Sequence, residues 1–98
     1  MNRSFIIDTE AEADLARAKK WYDDRRDGLG KEFIEEVEVA FQTIQRIPLV
    51  SRLIFKDLRR TLLRRFPYSA FYRVTSDLIT VVAVYHTSRD PRGWQDRA

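Results

Sequence analysis

The chain has 98 residues, of which 44% are hydrophobic and 34% charged, and its formal net charge is +3. This length and composition fit one folded domain, residues 1–98, and exclude a disordered chain. The lack of cysteine excludes disulfides and thiolate chemistry, and no apolar run reaches the roughly 18–20 residues that a membrane span requires.

The chain opens with a predicted strand and helix. Residues 3–7 form a short apolar run typical of a strand, and the run is too short for a signal peptide, so we expect a soluble cytoplasmic protein. Apolar residues at helical spacing then predict a helix over about residues 9–26. The spacing of Thr9 and Glu12 predicts a capping box at its start.

A second helix is predicted directly after the first. Gly28 and Gly30 are typical of a helix end and a tight reversal. Apolar residues again recur at helical spacing over about residues 31–47, and Pro48 stops the pattern. Two amphipathic helices with so short a connection are expected to pack as an antiparallel hairpin.

Residue patterns in the second half of the chain predict strands. Residues 49–57 form a mixed extended segment, and strands are predicted over residues 59–66, 68–75 and 78–86. The last of these is apolar on both faces, which is typical of a central strand covered above and below. The remaining tail, residues 89–98, is polar apart from Trp94.

The predicted order of elements is β-α-α-β-β-β. This order indicates an α+β fold in which the helical hairpin packs on a small, mostly antiparallel sheet. The element that covers the other face of the sheet is not evident from the sequence. We expect Trp94 to pack on the sheet, and the alternative is that it is free to contact a ligand.

Positive charge is concentrated in the second half of the chain. Residues 1–48 contain eight Lys or Arg and eleven Asp or Glu, whereas residues 49–98 contain ten and four, and nine of those ten are Arg. Arginine binds phosphate and carboxylate groups through planar, bidentate hydrogen bonds. The pattern favours an acidic or polyanionic partner, and an Arg-rich solvated surface is the alternative.

Several kinds of active site are excluded by the residue types. With a single histidine and no His-x-x-x-His or Asp-x-Asp spacing, no metal site is expected. The Gly-x-Ser-x-Gly turn of a serine hydrolase is absent, and so is a glycine-rich phosphate loop. We therefore expect no cofactor.

What remains is a set of cations with one imidazole. Its members are Arg64, Arg65, Arg73, His86, Arg89 and Arg92. Because alternate strand ends of a meander meet, these groups are expected to converge on one rim of the sheet. Such a rim could bind a phosphodiester while the imidazole moves a proton, which suffices for RNA cleavage without a metal. Alternatively, the arginines pair with an acidic partner and the histidine is only hydrogen-bonded at a strand end.

Four stretches of the sequence are similar to one known family. Residues 65–74 (RFPYSAFYRV) and 84–94 (VYHTSRDPRGW) resemble signatures of the RelE/ParE superfamily of bacterial type II toxins. Residues 18–22 and 28–30, with Phe33, match its A-x-x-W-Y … G-L-G-x-x-F pattern. The resemblance covers nearly the whole chain in order, and it is closer to the ParE-like branch.

The resemblance implies a toxin of a plasmid-stabilising toxin–antitoxin system, held in a complex by a cognate antitoxin encoded in the same operon. ParE-like members bind DNA gyrase and trap its cleaved DNA, without catalysis of their own. RelE-like members cut messenger RNA on the ribosome, and that alternative would assign catalysis to Arg65, His86 and Arg89. The lysine pair of those nucleases is reduced here to Lys56, and their C-terminal tyrosine is missing. A third alternative is a member that only pairs with its partner to regulate transcription.

The residues expected to mediate binding and toxicity follow from the resemblance and the charge pattern. They are Arg64, Arg65, Tyr68, Arg73, His86, Arg89, Arg92 and Trp94. Neither a metal ion nor a membrane is an expected partner.

Overall fold

A computed structural model describes residues 3–98, whose backbone is organised around one five-stranded mixed sheet. The strands are β1 (Ser4–Ile7), β2 (Leu53–Phe55), β3 (Leu58–Leu62), β4 (Tyr68–Val74) and β5 (Leu78–His86). Their order across the sheet is β1-β5-β4-β3-β2. β1 lies parallel to β5, and the other neighbouring pairs are antiparallel. The predicted α+β fold with a mostly antiparallel sheet is confirmed.

Two long helices, α1 (Thr9–Arg25) and α2 (Leu29–Arg46), form the predicted hairpin. The predicted capping box is wrong, because the N-cap of α1 is Asp8 and its side chain makes no capping hydrogen bond. A short third helix, α3 (Arg92–Gln95), lies in the tail that was expected to be polar. Within residues 3–98 no helix is long and apolar enough to cross a bilayer.

The geometry of the connection between α1 and α2 favours glycine at positions 28 and 30. Gly28 has φ +86°, in the left-handed region that glycine adopts without strain. Gly30 lies so close to α1 that an added Cβ would come within 2.5 Å of the Lys19 carbonyl oxygen. Its N–H donates to Asp23 Oδ1 at 2.8 Å, so an α1 side chain satisfies one free N–H of the first turn of α2. The predicted reversal is confirmed.

The strand predicted over residues 59–66 is too long. It ends at Leu62, and the preceding extended segment contains the additional strand β2. Phe66 leaves the sheet and packs edge-on against Tyr22 and Phe33, with ring centroids 4.9 and 5.3 Å apart. Burial of this ring between helices and sheet outweighs four further residues of strand pairing. β4 and β5 lie where the sequence predicted them.

Each face of the sheet carries its own apolar cluster. The helical hairpin covers one face, on which Tyr72 and Phe33 are fully buried. On the other face Trp94 stacks on Phe71, with ring centroids 4.0 Å apart and planes inclined by 14°. Phe55 packs edge-on against the same indole at 5.8 Å. The expectation that Trp94 packs on the sheet is confirmed, and this residue covers the face that the sequence left unassigned.

Candidate functional site

The outer edge of β5 is only partly covered by β1. The paired residues end at Ile7 and Val81, so residues 82–86 have no strand beside them on that side. Two side chains take over part of this edge. Asp14 accepts the N–H of Val84 at 3.0 Å, and Arg97 donates to the carbonyl of Val82 at 3.0 Å. Charged side chains placed in this way blunt an exposed strand edge.

Asp14 and Arg97 form a buried ion pair at this edge. The Asp14 side chain is 1% exposed and accepts from both terminal nitrogens of Arg97, at 2.7 and 3.1 Å. It also accepts from Arg17 at 2.7 Å. The hydrogen bond to Asp14 raises the pKa of the Arg97 guanidinium above its ordinary value. The carboxylate is therefore fully engaged and leaves no net negative charge at the edge.

A cleft of about 340 Å³ opens beside this ion pair, between α1 and the end of β5. Trp21, which is half exposed, and Tyr68 provide aromatic surface. Arg17, His86 and Arg89 provide polar and cationic groups. The lining thus combines aromatic, apolar and basic character, which suits an acidic ligand that also carries apolar groups.

His86 has a defined hydrogen-bonding role in this cleft. Its Nδ1 accepts from the backbone N–H of Ser88 at 3.0 Å and lies 2.8 Å from Ser88 Oγ. Because a backbone N–H can only donate, Nδ1 carries the lone pair and the neutral ring has its proton on Nε2. The imidazole packs edge-on against Tyr68 at 5.2 Å. His86 therefore presents a donor, Nε2–H, as its remaining ring group.

Arg89 lies close to Tyr85 and makes no ion pair within residues 3–98. Its guanidinium is 4.1 Å from the Tyr85 ring centroid, and it donates to the phenol oxygen at 3.2 Å. Burial raises the pKa of the nearby Tyr68 phenol, while the positive charge of Arg89 opposes that shift. Arg89 also lines a second cleft, of about 140 Å³, on the opposite face of the sheet with Arg60 and Trp94. Its charge is available to a ligand on either side.

The other predicted arginines do not join this site. Arg65 donates to Glu32 at 3.0 Å, and this contact is the first cause of a lowered Glu32 pKa. Arg73 pairs with Asp57 at 2.7 Å, near the end of β4 remote from Tyr68. Arg92 is paired with Asp90 at 2.6 Å.

The prediction that all the cations converge on one rim is therefore wrong. Of the predicted residues, Tyr68, His86 and Arg89 meet at one cleft, and Trp94 lies behind them in the core. Arg65, Arg73 and Arg92 pair with carboxylates that the fold brings within reach. Arg64 makes no ion pair within the described residues and lies at a groove between α2 and β3. The functional role of the set stays a prediction.

A separate apolar groove of about 260 Å³ lies between α2 and β3. Val39 and Leu62 contribute to it and are 58% and 55% exposed, and Arg64 lies at the same groove. Exposed apolar side chains gathered in one groove are typical of an interaction surface.

Sequence reasoning missed the residues that form the β5 edge. None of these residues was among the predicted site residues: the patterns place Arg17 on the solvated face of the first helix, Trp21 on its apolar stripe and Arg97 in the polar tail. Asp14 carried a usable signal, since it lies at helical spacing between the buried residues Ala11 and Ala18. An acidic residue on an apolar helical face indicates a buried, paired carboxylate. Within residues 3–98 no three His, Cys, Asp or Glu side chains are grouped to hold a metal ion.

Comparison with known proteins gives a consistent result. The sequence profile of the family described as "ParE toxin of type II toxin-antitoxin system, parDE" matches residues 5–91. Two relatives named Toxin ParE2, from Mycobacterium tuberculosis strains CDC 1551 / Oshkosh and ATCC 25618 / H37Rv, are each 29% identical over 92 residues. These alignments cover 93% of this chain and 88% of the relative. A solved structure of the chromosomal ParDE TA system from P. aeruginosa has a TM-score of 0.79 at 19% identity, over 88% of this chain and 97% of that one. That structure shares the fold.

Proposed function

Since this chain belongs to the ParE toxin family of type II toxin–antitoxin systems, we propose that it inhibits DNA gyrase by binding and is neutralised by a cognate antitoxin. The observation that carries the proposal is the placement of the three nuclease candidates. The guanidinium of Arg65 is held by Glu32 on α2, whereas His86 and Arg89 line the cleft beside α1. Cleavage of a phosphodiester requires its catalytic side chains to be held together at one site. Because these three side chains are not, action by binding is favoured.

The antitoxin partner is supported by the apolar groove between α2 and β3. Val39 and Leu62 are large apolar residues left exposed in a chain whose sheet is already covered on both faces. Burying them against an amphipathic partner segment releases water and stabilises the complex. Arg64 at the same groove favours a segment that also carries carboxylates.

The gyrase proposal is tested by titrating the purified protein into a supercoiling reaction of gyrase and relaxed plasmid. We expect supercoiling to fall and cleaved plasmid to accumulate, and the product of the adjoining reading frame to restore activity. The variant Arg89→Ala is expected to weaken inhibition, whereas Lys20→Ala, on an exposed face of α1, serves as the matched control. Undiminished supercoiling at micromolar protein contradicts the proposal.

One observation favours the ribosome-dependent nuclease as a second candidate. Arg60 and Arg89 line the smaller cleft and make no ion pair within residues 3–98, so two guanidinium groups are available to one phosphate. His86 would then have to act through Nε2, because Nδ1 is engaged by Ser88.

If the protein is such a nuclease, we expect it to cleave messenger RNA in a translating extract. That cleavage should be lost in His86→Ala and in Arg89→Ala. Intact messenger RNA with wild-type protein argues against it. If expression of the chain alone leaves cells unharmed, both toxin mechanisms fail, and a role confined to transcriptional regulation with the partner remains.

A further inference from the structure

The smaller cleft, of about 140 Å³, lies on the face of the sheet that carries α3, and no carboxylate lines it. Arg60, on β3, and Arg89, shortly after β5, bring two guanidinium groups to this cleft. Neither of them makes an ion pair within residues 3–98. Two cations without a counter-charge from the same chain favour an anionic ligand.

Ser69 contributes a buried hydroxyl to the same cleft. It lies on β4 directly opposite Tyr85 and two positions before Phe71, so these three side chains share one face of the sheet. Ser69 is 2% exposed, and its hydroxyl makes no hydrogen bond within residues 3–98. No side-chain oxygen of those residues is both fully enclosed and unpartnered, so Ser69 Oγ keeps access to the cleft that the residue lines. Because buried hydroxyls ordinarily have a partner, this one indicates a place for a ligand oxygen.

The phenol of Tyr85 supplies a fourth donor. Its oxygen accepts from Arg89 at 3.2 Å and keeps its own proton for donation. Gly93 leaves room for this oxygen, since an added Cβ would collide with it. Two guanidinium groups and two hydroxyls can serve oxygens that point in several directions, as those of a tetrahedral phosphate do. A carboxylate presents only two oxygens in one plane, so the donor set suits a phosphate better.

The aromatic rings of this cleft are too enclosed to stack on a nucleic-acid base. Trp94 is stacked on Phe71 and is 9% exposed. The Tyr85 ring is 6% exposed, and the guanidinium of Arg89 lies 4.1 Å from its centroid. Single-stranded nucleic acids are bound largely by stacking of their bases on exposed aromatic faces. A double helix presents its phosphates outward with its bases enclosed, so the cleft suits the backbone of a duplex.

The size of the cleft leads to the same ligand. Pockets that enclose a whole small molecule usually measure about 300–1,000 Å³, well above the volume found here. A single phosphate group of a larger molecule is therefore a better match than a free nucleotide.

We propose that this cleft binds a backbone phosphate of the duplex DNA held by gyrase, so that the toxin contacts the enzyme and its DNA together. This inference rests on the proposed function, because gyrase is the protein that supplies the duplex. Arg60, Arg89 and the Ser69 hydroxyl hold the phosphate, which is bound and not cleaved. Such a contact carries no base-sequence information and positions the toxin on the DNA.

The test compares binding of N-terminally labelled toxin to gyrase alone and to gyrase loaded with a duplex, by fluorescence anisotropy. We expect the wild type to bind the loaded enzyme about tenfold more tightly, and this gain should shrink as the salt concentration rises. Arg60→Gln should remove most of the gain and leave the affinity for gyrase alone within about twofold. Ser69→Ala, which keeps both cations, should reduce the affinity for the loaded enzyme about threefold.

Arg46→Gln is the matched control for the loss of one positive charge. Arg46 is exposed at the end of α2, in the helical layer, and makes no ion pair within residues 3–98. Its removal should leave the gain from the duplex within about twofold of the wild-type value.

The outcomes separate this inference from the proposal on which it rests. Equal affinities of the wild type for loaded and bare gyrase would overturn the phosphate contact and leave the gyrase proposal standing. A loss that Arg60→Gln causes equally with and without the duplex would also overturn it, because the cleft would then bind a carboxylate of gyrase. Single-stranded RNA that competes for the toxin more strongly than free duplex of the same length would overturn the choice of a duplex. If the wild type binds neither form of gyrase, the gyrase proposal itself fails, and this inference fails with it.

Discussion

Arg97 and Asp14 lie 83 positions apart in the chain, and their side chains meet at 2.7 Å. The contact joins the end of the chain to the middle of α1 and lies directly beside the open edge of β5. The C-terminal segment is thereby tied to the helical layer through charge, while Trp94 ties it to the opposite face of the sheet through packing.

Removing the cation of this pair should destabilise the protein strongly. Arg97→Gln leaves a carboxylate that is 1% exposed without its main partner, so we expect a loss of about 3 kcal/mol in the free energy of unfolding. Denaturant unfolding measures it. The control Arg92→Gln removes an exposed pair with Asp90 and should cost less than about 1 kcal/mol. Equal losses for the two variants would contradict the structural role of Arg97.

The two tryptophans should report different surroundings. Trp94 is buried on Phe71, whereas Trp21 is half exposed, so Trp21→Phe should leave blue-shifted fluorescence and Trp94→Phe red-shifted fluorescence. Trp94→Ala removes a stacked ring and should cost about 3 kcal/mol of unfolding free energy. Matching emission maxima in the two single-tryptophan proteins would show that Trp94 does not pack on the sheet.

Gly30 should tolerate substitution poorly because there is no room for a side chain, and not because its backbone conformation requires glycine. In Gly30→Ala the new Cβ meets the backbone carbonyl of Lys19, which cannot rotate away, and we expect a loss of about 2 kcal/mol. Gly28→Asn is the matched control. Its site is open and left-handed, a region that Asn tolerates, so the cost should stay below about 1 kcal/mol. Thermal unfolding of both variants tests the difference.

Acid should weaken the contact between α2 and the loop after β3. Hydrogen bonds from Arg65 and then from Arg26 lower the pKa of Glu32 below its ordinary value of 4.5. A carboxyl whose pKa is lower in the folded state stabilises the protein above the ordinary value, and that contribution is lost as the pH falls through the folded-state pKa.

The corresponding variant is Glu32→Gln, which should make the decline of the urea midpoint between pH 7 and pH 3 shallower. Glu38→Gln, at an exposed position on the same helix, should leave the decline as steep as in the wild type. An unchanged decline in Glu32→Gln would show that this carboxylate is not linked to folding.

Much of the fold follows from local patterns of residue type. The run from Leu78 to His86 is almost entirely β-branched or aromatic, and such a run is stable as a strand only when both of its faces are covered. The hairpin follows equally from helical spacing on either side of Gly28 and Gly30. The end of the strand predicted over residues 59–66 was misplaced, since the packing of Phe66 between two layers depends on residues remote in the chain.

The helical hairpin and the central strand could be predicted from residue types because each depends on neighbours within a few positions, and the excess of arginine in the second half is a matter of composition. Which arginines keep a free charge depends instead on how the elements pack. Arg65 and Arg73 meet carboxylates supplied by other elements, whereas Arg89 meets a tyrosine. An ion pair requires two groups within about 4 Å, and such distances across elements are set only when the helices and the sheet have packed together.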